Sequence, residues 1–500
     1  MTGACALLAL SALHPAEAAG RSAEQSPRLQ IETDVSLTAN LVHWVDNLAG
    51  SSVGKTKPVY RLYWEQRFGP VDEADRQALQ AFARARMAGT VPGVRVANES
   101  GCLPHEAEAL SWHQVFLVEA MRAHSVGDLT RSLAPYLSQA DLAGLSAALD
   151  HFQPRFHRVW KDLEHVRRFE RRFRSFVEQG EMADYLIDLA GFFGVDPGSA
   201  PPMRISLMGL PSDGPTHAEA DGDYLLIEIR PADTPRDQVQ VVAHEASHFL
   251  MRRMGVDRID RLARQAYEGG DAGALVWRYM WEGIPTALGQ GLAEARLSPR
   301  TFSMSQSWYH IGVVDRFAKL IYPLAAREVS RAGTIEGGML ADISKTLVGS
   351  SIYTEARAAE FLVTAFFASG DQLAAPLSEL RDRLRIGRGE SSPSFAVADP
   401  RGSDLLRRYP CLGGAVMVSA AELEAAATLG GETLLAPRVV RRAAEQAANG
   451  TAVIAAGRRK AGGPVFFLVA PRSGRVGPLL EAFARLRGVP SAPIAVPSGS

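Results

Sequence analysis

The sequence predicts an α+β protein that is predominantly helical and has a small central sheet. Apolar residues at helical spacing recur through residues 28–190 and again through 283–370, and few strand signals interrupt them. Two short apolar runs, 204–208 and 223–229, indicate neighbouring strands that lead into a further apolar helix. After residue 400, short apolar strands alternate with helices, which predicts a small C-terminal α/β region.

Segments rich in Gly, Pro and Ser at 194–202 and 391–402 predict the boundaries between regions. The predicted divisions are a possible signal peptide at 1–20, a helical N-terminal region at 28–195, a central region at 200–370 and an α/β accessory region at 400–500. No phosphate loop, repeat or cysteine-metal cluster is recognisable after residue 400.

Composition indicates a globular chain and bears on its class of partner. The chain has 500 residues, 46% of them hydrophobic, and a formal net charge of −1, which argues against nucleic acid as the main partner. The one strongly basic stretch, 155–174, has apolar residues at helical spacing. Its charges therefore predict a solvated helix face in preference to a site for an anionic ligand.

The first twenty residues resemble a secretory signal peptide. An apolar run at 4–13 is followed by the pattern Ala16-x-Ala18, although no basic residue precedes Arg21, so an ordinary helix also fits. No other segment has the continuous apolar length to cross a membrane, and we therefore expect no stable membrane insertion. The leader and the bias towards Arg and Ala predict an exported bacterial protein, periplasmic or extracellular.

The cysteines allow two interpretations of the redox environment. Cleavage after Ala18 would remove Cys5 from the three cysteines and leave Cys102 and Cys411. These two residues could form one disulfide in an oxidising compartment, or they could remain free thiols.

The motif His244-Glu245-Ala246-Ser247-His248 is the most informative feature of the chain. Residues four apart lie on one face of a helix, so both imidazoles can reach one metal ion while Glu245 points towards its bound water. Zinc lowers the pKa of such a water to about 7, and a nearby carboxylate can then take its proton. The motif predicts a metal-dependent hydrolase.

Local signals place this motif on a helix. Thr234 and Pro235 are typical of an N-cap and a first helical position, and Asp237 favours the positive end of the helix. Gly255 is a plausible C-terminal stop. Apolar residues recur between these limits at intervals of three and four, which predicts a helix buried against a core.

The motif and its surroundings resemble the zincin metallopeptidases. The metzincin extension would need Gly at position 251 and His at 254, but Met251 and Met254 stand there, so that subgroup is excluded. The segment Trp281-Glu282-Gly283-Ile284-Pro285 is similar to the gluzincin pattern, in which a glutamate on a later helix is the third metal ligand. The resemblance covers roughly residues 200–370. It does not match any particular zincin family over the whole chain.

The resemblance implies a catalytic site and a substrate class. His244, His248 and Glu282 would hold one zinc ion, and Glu245 would be the general base that activates a zinc-bound water. The substrate would be a peptide or protein, aligned along strand 223–229 at the rim of the sheet.

Two points in this assignment stay open. Glu268 is a rival third ligand, although it lies where Gly269 and Gly270 indicate the end of a helix, and Glu282 could instead be an ordinary ion-pairing residue at a kink made by Pro285. A hydrogen-bond donor for the oxyanion is also expected. The candidates are Tyr309, His310, Tyr322 and Tyr353, of which Tyr353 is preferred because it follows a likely loop and opens a helix predicted at 354–367.

Two other classes of function compete with a peptidase. One is a non-catalytic binding or scaffold protein that retains a zincin fold. The other is a helical interaction module in which the motif is accidental.

Overall fold

Two mixed β-sheets with surrounding helices organise the chain in the computed structural model. The predicted α+β, predominantly helical class is confirmed. The predicted signal peptide lies outside the part of the chain that the structure describes, and no helix within that part combines the length and apolar character needed to cross a bilayer. The described residues are 29–51, 56–91, 98–104, 110–383, 394–471 and 476–497.

The N-terminal region is helical, as predicted, except for one short strand at its start. The elements are β1 (Ile31–Asp34), α1 (Leu37–Ala49), α2 (Pro58–Phe68), α3 (Glu73–Ala88), α4 (Trp112–Arg122), α5 (Val126–Leu133), α6 (Gln139–Asp162), α7 (Glu164–Gln179) and α8 (Glu181–Phe193). The predicted basic stretch divides between α6 and α7, where Phe156, Phe169 and Phe173 are buried and most arginines are exposed. Its charges therefore form a solvated face.

The first sheet joins the N-terminal region to the region around the motif. It contains β1, β2 (Met203–Gly209), β4 (Tyr224–Ile229) and β3 (Ala218–Asp221), in that order across the sheet. β1 is parallel to β2 and β2 to β4, whereas β3 is antiparallel to β4. The two predicted strands are neighbours, as expected. The sequence does not reveal β1, because its four residues carry no periodic signal and pair with a strand far along the chain.

The expected position of strand 223–229 at the rim of the sheet is wrong. β4 lies between β2 and β3, so both of its edges are already hydrogen-bonded. The edge beside the motif belongs to β3, which packs against the helix that carries the two histidines. The six residues of β4 are all buried, so both faces of this strand are covered as well.

Helices make up most of the central region. They are α9 (Val239–Met251), α10 (Val256–Glu268), α11 (Gly270–Thr286), a π-helical segment (Ala287–Ala293), α12 (Glu294–Leu297), α13 (Gly312–Ser330), α14 (Met339–Val348), α15 (Ser351–Glu355) and α16 (Ala358–Leu362). The single helix predicted at 354–367 is wrong. Two short helices occupy its first part, and Phe366 and Phe367 belong to a strand. Short apolar runs fit a buried strand as well as a helix, and pairing with distant strands decides here.

The C-terminal region is an α/β unit, as predicted, but its sheet begins at residue 365, inside the predicted central region, and not at residue 400. Its elements are β5 (Ala365–Ala368), α17 (Asp371–Arg383), β6 (Ser394–Ala396), α18 (Pro400–Arg408), β7 (Gly414–Ser419), α19 (Leu423–Ala426), α20 (Pro437–Ala448), β8 (Ala452–Arg458), β9 (Pro464–Ala470), α21 (Gly477–Ala484) and β10 (Ile494–Val496). The strand order is β10-β8-β9-β7-β5-β6. The predicted linker at 391–402 is wrong over its described part, because 394–402 contains β6 and the start of α18.

The C-terminal sheet is integrated with the rest of the chain. Met417, Phe466 and Leu468 on one face belong to the same core as the motif helix α9, whereas Val416 and Phe467 on the other face pack in a second core with α18 and α20. Burial of both faces explains why its main strands read as continuous apolar runs.

A disulfide between Cys102 and Cys411 ties this unit to the N-terminal region. Beside it, the Cys411 N–H donates to Cys102 O at 2.9 Å and the Tyr409 hydroxyl donates to Asn98 O at 2.8 Å. The Cys102 N–H donates in turn to Asp260 in α10. Of the two alternatives for these cysteines, a disulfide or free thiols, the structure has the disulfide. The loop that contains Cys102 therefore connects three regions of the fold.

We expect Cys411→Ser to lower the free energy of unfolding by about 2–5 kcal/mol, because the cross-link closes a loop across a sequence separation of 309 residues. Denaturant unfolding of the oxidised proteins measures this difference. The reduced wild type should match the variant. Equal stability of the oxidised wild type and the variant would contradict a structural role for the bond.

Candidate metal centre

Helix α9 carries both histidines of the motif. Thr234 and Asp237 form a capping box at the 3₁₀ turn Pro235–Gln238, which leads directly into α9, so the predicted start is confirmed. The predicted end is wrong: α9 ends at Met251, and Gly255, with a φ of 77°, precedes α10. The side of α9 that faces the core is fully buried and consists of Val242, Ala243, Ala246, Phe249 and Leu250.

The side chains of His244, His248 and Glu282 meet between α9 and α11. The two Nε2 atoms of the histidines are 3.2 Å apart. Glu282 Oε2 lies 3.7 Å from His244 Nε2 and 3.4 Å from His248 Nε2. The exposed fractions of the side chains are 7% and 11% for the histidines and 19% for Glu282. One carboxylate and two imidazoles therefore face a single point in a largely buried position.

This donor set fits one zinc ion. Bonds of about 2.0–2.2 Å at tetrahedral angles separate neighbouring ligand atoms by about 3.4 Å. The three observed separations, 3.2, 3.4 and 3.7 Å, are all close to that value. Two imidazole nitrogens and one carboxylate oxygen also form a ligand set that catalytic zinc sites use, with the fourth position left for water or substrate.

Gln290 orients His244 from the other side of its ring. Its Oε1 lies 3.2 Å from His244 Nδ1, where it accepts the N–H of that nitrogen. A hydrogen bond at Nδ1 selects the tautomer in which Nε2 carries the lone pair. Nε2 is the atom that faces His248 and Glu282, so the lone pair of His244 is directed towards these two side chains, as it is in a histidine that could hold a metal ion.

Gln290 reaches His244 because the helix changes its hydrogen-bonding pattern after Pro285. Pro285 does not end α11, and the chain continues as the π-helical segment Ala287–Ala293. In an uninterrupted α-helix, Gln290 would lie about 80° around the axis from Glu282. The wider turns of a π-helix reduce that rotation. As a result, both side chains contact the same imidazole.

Gly289 allows this segment to lie directly on α9. A Cβ atom at this position would be 2.5 Å from Gln240 O and 2.8 Å from His244 Cβ. Both distances are shorter than van der Waals contact, and one involves the backbone of α9, which cannot rotate away. Only glycine permits the observed approach.

The carboxylates of the cluster favour positive charge at His244. Burial alone would lower the pKa of this imidazole, but the nearby carboxylates of Glu282 and Glu245 raise the pKa above its ordinary value. Glu245 is itself buried in α9. The negative potential that favours a proton on His244 also favours a metal cation between the same groups.

Tyr309 closes one side of the cluster. Its hydroxyl donates to Glu282 Oε2 at 3.0 Å, the same oxygen that faces both histidines. Its ring lies over the ring of His244, with 6.0 Å between centroids and an interplanar angle of 16°. Tyr309 belongs to the irregular segment that precedes α13.

The structure separates the rival residues that the sequence left open. Glu268 is exposed at the last position of α10, outside the cluster of His244, His248 and Glu282. Tyr353 lies in α15, which packs against α13 and α14. Within the described residues, the tyrosine hydroxyl bonded to the cluster belongs to Tyr309.

Gln290 and Gly289 are site residues that the sequence reasoning missed. A polar residue between two glycines, Gly289-Gln290-Gly291, interrupts an otherwise apolar helix. That pattern was available as a signal of close packing around a polar contact. Its partner was not recognisable, because it depends on the π-helical turns.

Comparison of the chain with protein-family models, with curated proteins and with solved structures finds no match in any of the three.

Gly289→Ala is expected to push the π-helical segment away from α9 and break the hydrogen bond between Gln290 and His244. We expect zinc affinity, measured by chelator competition, to fall about 10- to 100-fold, and the free energy of unfolding to fall by about 1–3 kcal/mol. Gly191→Ala is the matched control, because Gly191 lies in α8 and a Cβ atom there meets nothing within 4 Å. Wild-type zinc affinity in Gly289→Ala would show that this contact does not support the site.

Proposed function

We propose that the protein is a zinc-dependent peptidase of the gluzincin type. The observation that carries the proposal is the cluster of His244, His248 and Glu282, whose ligand atoms lie at separations suited to one zinc ion. Glu245 stands between the two histidines, as in the H-E-x-x-H pattern of zinc peptidases. Gln290 adds the outer hydrogen bond that metal-bound histidines usually make.

Glu245 is the proposed general base. Zinc at the cluster would polarise the scissile carbonyl group and lower the pKa of a water molecule. The Glu245 carboxylate, which is buried beside His244, accepts the proton of the attacking water. It then transfers that proton to the nitrogen of the leaving amine, so one residue serves as base and acid in turn.

Tyr309, in place of Tyr353, is the proposed donor to the oxyanion. Water attack places negative charge on the former carbonyl oxygen, and a hydrogen-bond donor at that position stabilises the transition state. The Tyr309 hydroxyl lies 3.0 Å from Glu282 Oε2. A phenol beside a ligand atom needs only a small movement to reach a substrate oxygen at the neighbouring position.

The proposed substrate is an extended peptide that adds to the edge strand β3. His217, just before β3, accepts the N–H of Glu228 in β4 at 3.0 Å. In an antiparallel pair, every second residue bonds to the partner strand. The backbone N–H and C=O groups of Ala218 and Ala220 therefore point away from β4. Ala220 O accepts from Arg252, the residue that follows α9. Main-chain hydrogen bonds to Ala218 would align a peptide along the same edge.

Export from the cytoplasm is part of the proposal. A disulfide such as Cys102–Cys411 persists in oxidising compartments and is rare in the cytosol. Together with the predicted signal peptide at 1–20, it supports a periplasmic or extracellular location.

Glu245→Gln is expected to retain zinc and to lower kcat by about 100- to 10,000-fold, because it removes the group that moves the proton. Turnover of a fluorogenic peptide library and elemental analysis measure the two quantities. Full activity of the variant would contradict the proposed base. Wild-type protein that binds zinc and cleaves none of the library would instead favour a non-catalytic binding protein.

Glu282→Gln and Glu268→Gln form a matched pair that identifies the third ligand. We expect Glu282→Gln to lower zinc affinity by more than about 100-fold, since loss of an outer-shell partner alone costs 10- to 100-fold. Glu268→Gln should bind zinc like the wild type, because Glu268 is exposed outside the cluster. The opposite pattern in a chelator titration would assign the ligand to Glu268.

A further inference from the structure

We propose that Asp315 is a positioning residue, which places Tyr309 on the metal centre by holding residues 306–309 against helix α13. The inference rests on the proposed function, in which Tyr309 donates to the oxyanion. Asp315, on α13, accepts a hydrogen bond from the backbone of Tyr309. The side chain of Tyr309 in turn contacts Glu282 and His244.

Asp315 binds the backbone immediately beside the Tyr309 side chain. Its Oδ1 accepts the N–H of Trp308 at 2.6 Å and the N–H of Tyr309 at 3.3 Å. Two successive amides on one carboxylate oxygen fix both the position and the direction of the chain at Tyr309. Hydrogen bonds to an ionised acceptor are about twice as strong as those between neutral groups.

Lys319 completes the attachment one turn further along α13. Its ammonium group lies 2.9 Å from Asp315 Oδ2 and donates to Gln306 O at 2.6 Å. Burial alone would raise the pKa of Asp315, but Lys319 and the amide of Trp308 hold the pKa below its ordinary value. Asp315 is therefore ionised at neutral pH, as the two contacts of Oδ1 require.

The opposite face of α13 is seated on the helix that carries Glu282. A Cβ atom on Gly283 would lie 2.2 Å from the ring of Phe317, so this ring packs directly on the backbone of α11. Phe317 and Asp315 are two residues apart, which places them about 200° apart around the helix axis. One face of α13 thus packs on α11 and fixes the position of the helix. The other face holds the segment that ends in Tyr309.

An aspartate near a helix N-terminus often has a purely local role. It can stabilise the helix dipole and pair with a lysine four residues later, and Asp315 and Lys319 meet both descriptions. Neither role requires contacts with Trp308, Tyr309 and Gln306, which all precede α13. These backward contacts distinguish a positioning residue from a surface ion pair.

A double-mutant cycle between Asp315→Ala and Tyr309→Phe tests the inference. The readouts are kcat and KM on the peptide that the wild type cleaves fastest in a fluorogenic library, and the visible absorption of the cobalt-substituted protein. We expect Tyr309→Phe to lower kcat by about 100-fold, as loss of an oxyanion donor does. Asp315→Ala should lower kcat by at least about 10-fold with little change in KM, and the double variant should be no worse than Tyr309→Phe.

Two further variants keep the test specific. Asp315→Asn retains an oxygen acceptor for the amides and should recover part of kcat. Glu355→Gln removes a different ion pair of α13, at 3.0 Å from Arg316, and should leave both readouts unchanged. Additive losses in the double variant, or an equal loss in Glu355→Gln, would overturn the positioning role.

The cobalt spectrum separates failure of this inference from failure of the proposed function. If the wild type binds cobalt but cleaves no peptide, the peptidase proposal fails, and the inference still predicts that Asp315→Ala and Tyr309→Phe shift the spectrum alike and without additivity. Unlike or additive shifts would overturn it. A wild-type protein that binds neither zinc nor cobalt would overturn both.

Discussion

Two imidazoles and one carboxylate meet at a common point in a largely buried position. The rest of the site depends on this constraint. An ionised carboxylate whose side chain is only 19% exposed, like that of Glu282, costs free energy unless charged or hydrogen-bonding groups face it. Here the facing groups come from another helix, so α9 and α11 must keep a fixed separation. Glycine at 289, where a Cβ atom would strike the backbone of α9, is one consequence. The wider helical turns after Pro285 are a second, because they bring Gln290 to the back of His244.

The larger elements limit how far this arrangement can relax. α9 lies between the sheet that ends in β3 and the π-helical segment, so it is packed on both sides. The C-terminal sheet shares the core of α9, and the disulfide loop contacts α10 through Asp260. A region that the sequence presents as a separate accessory unit therefore contributes to the support of the central helices. On the side of the cluster that Tyr309 covers, the position of this residue depends on a loop, and the contacts of Asp315 and Lys319 supply order that loops usually lack.

Features that depend on neighbours in the chain could be predicted from the sequence, whereas those that depend on packing could not. The spacing of His244 and His248 and the cap at Thr234 are local features, confined to a few helical turns. The helix was predicted from them, and it is present. Glu282 stands in a clear apolar helix, so a resemblance was enough to select it. Gln290 required a change of helical type that no local pattern specifies. The contacts of Tyr309 could not be predicted for a similar reason, since an irregular segment held by Asp315 leaves no periodic signal. Strands β1 and β5 were not predicted, because the strands with which they pair are distant in the chain.

Zinc K-edge X-ray absorption, combined with elemental analysis, can show whether His244, His248 and Glu282 hold zinc. The sample is the full-length protein purified without chelators. We expect one zinc ion per chain with two imidazole nitrogens and oxygen ligands at about 2.0–2.2 Å, and no sulfur. Protein without stoichiometric zinc, a sulfur ligand at about 2.3 Å, or a spectrum unchanged in His244→Ala would contradict this expectation.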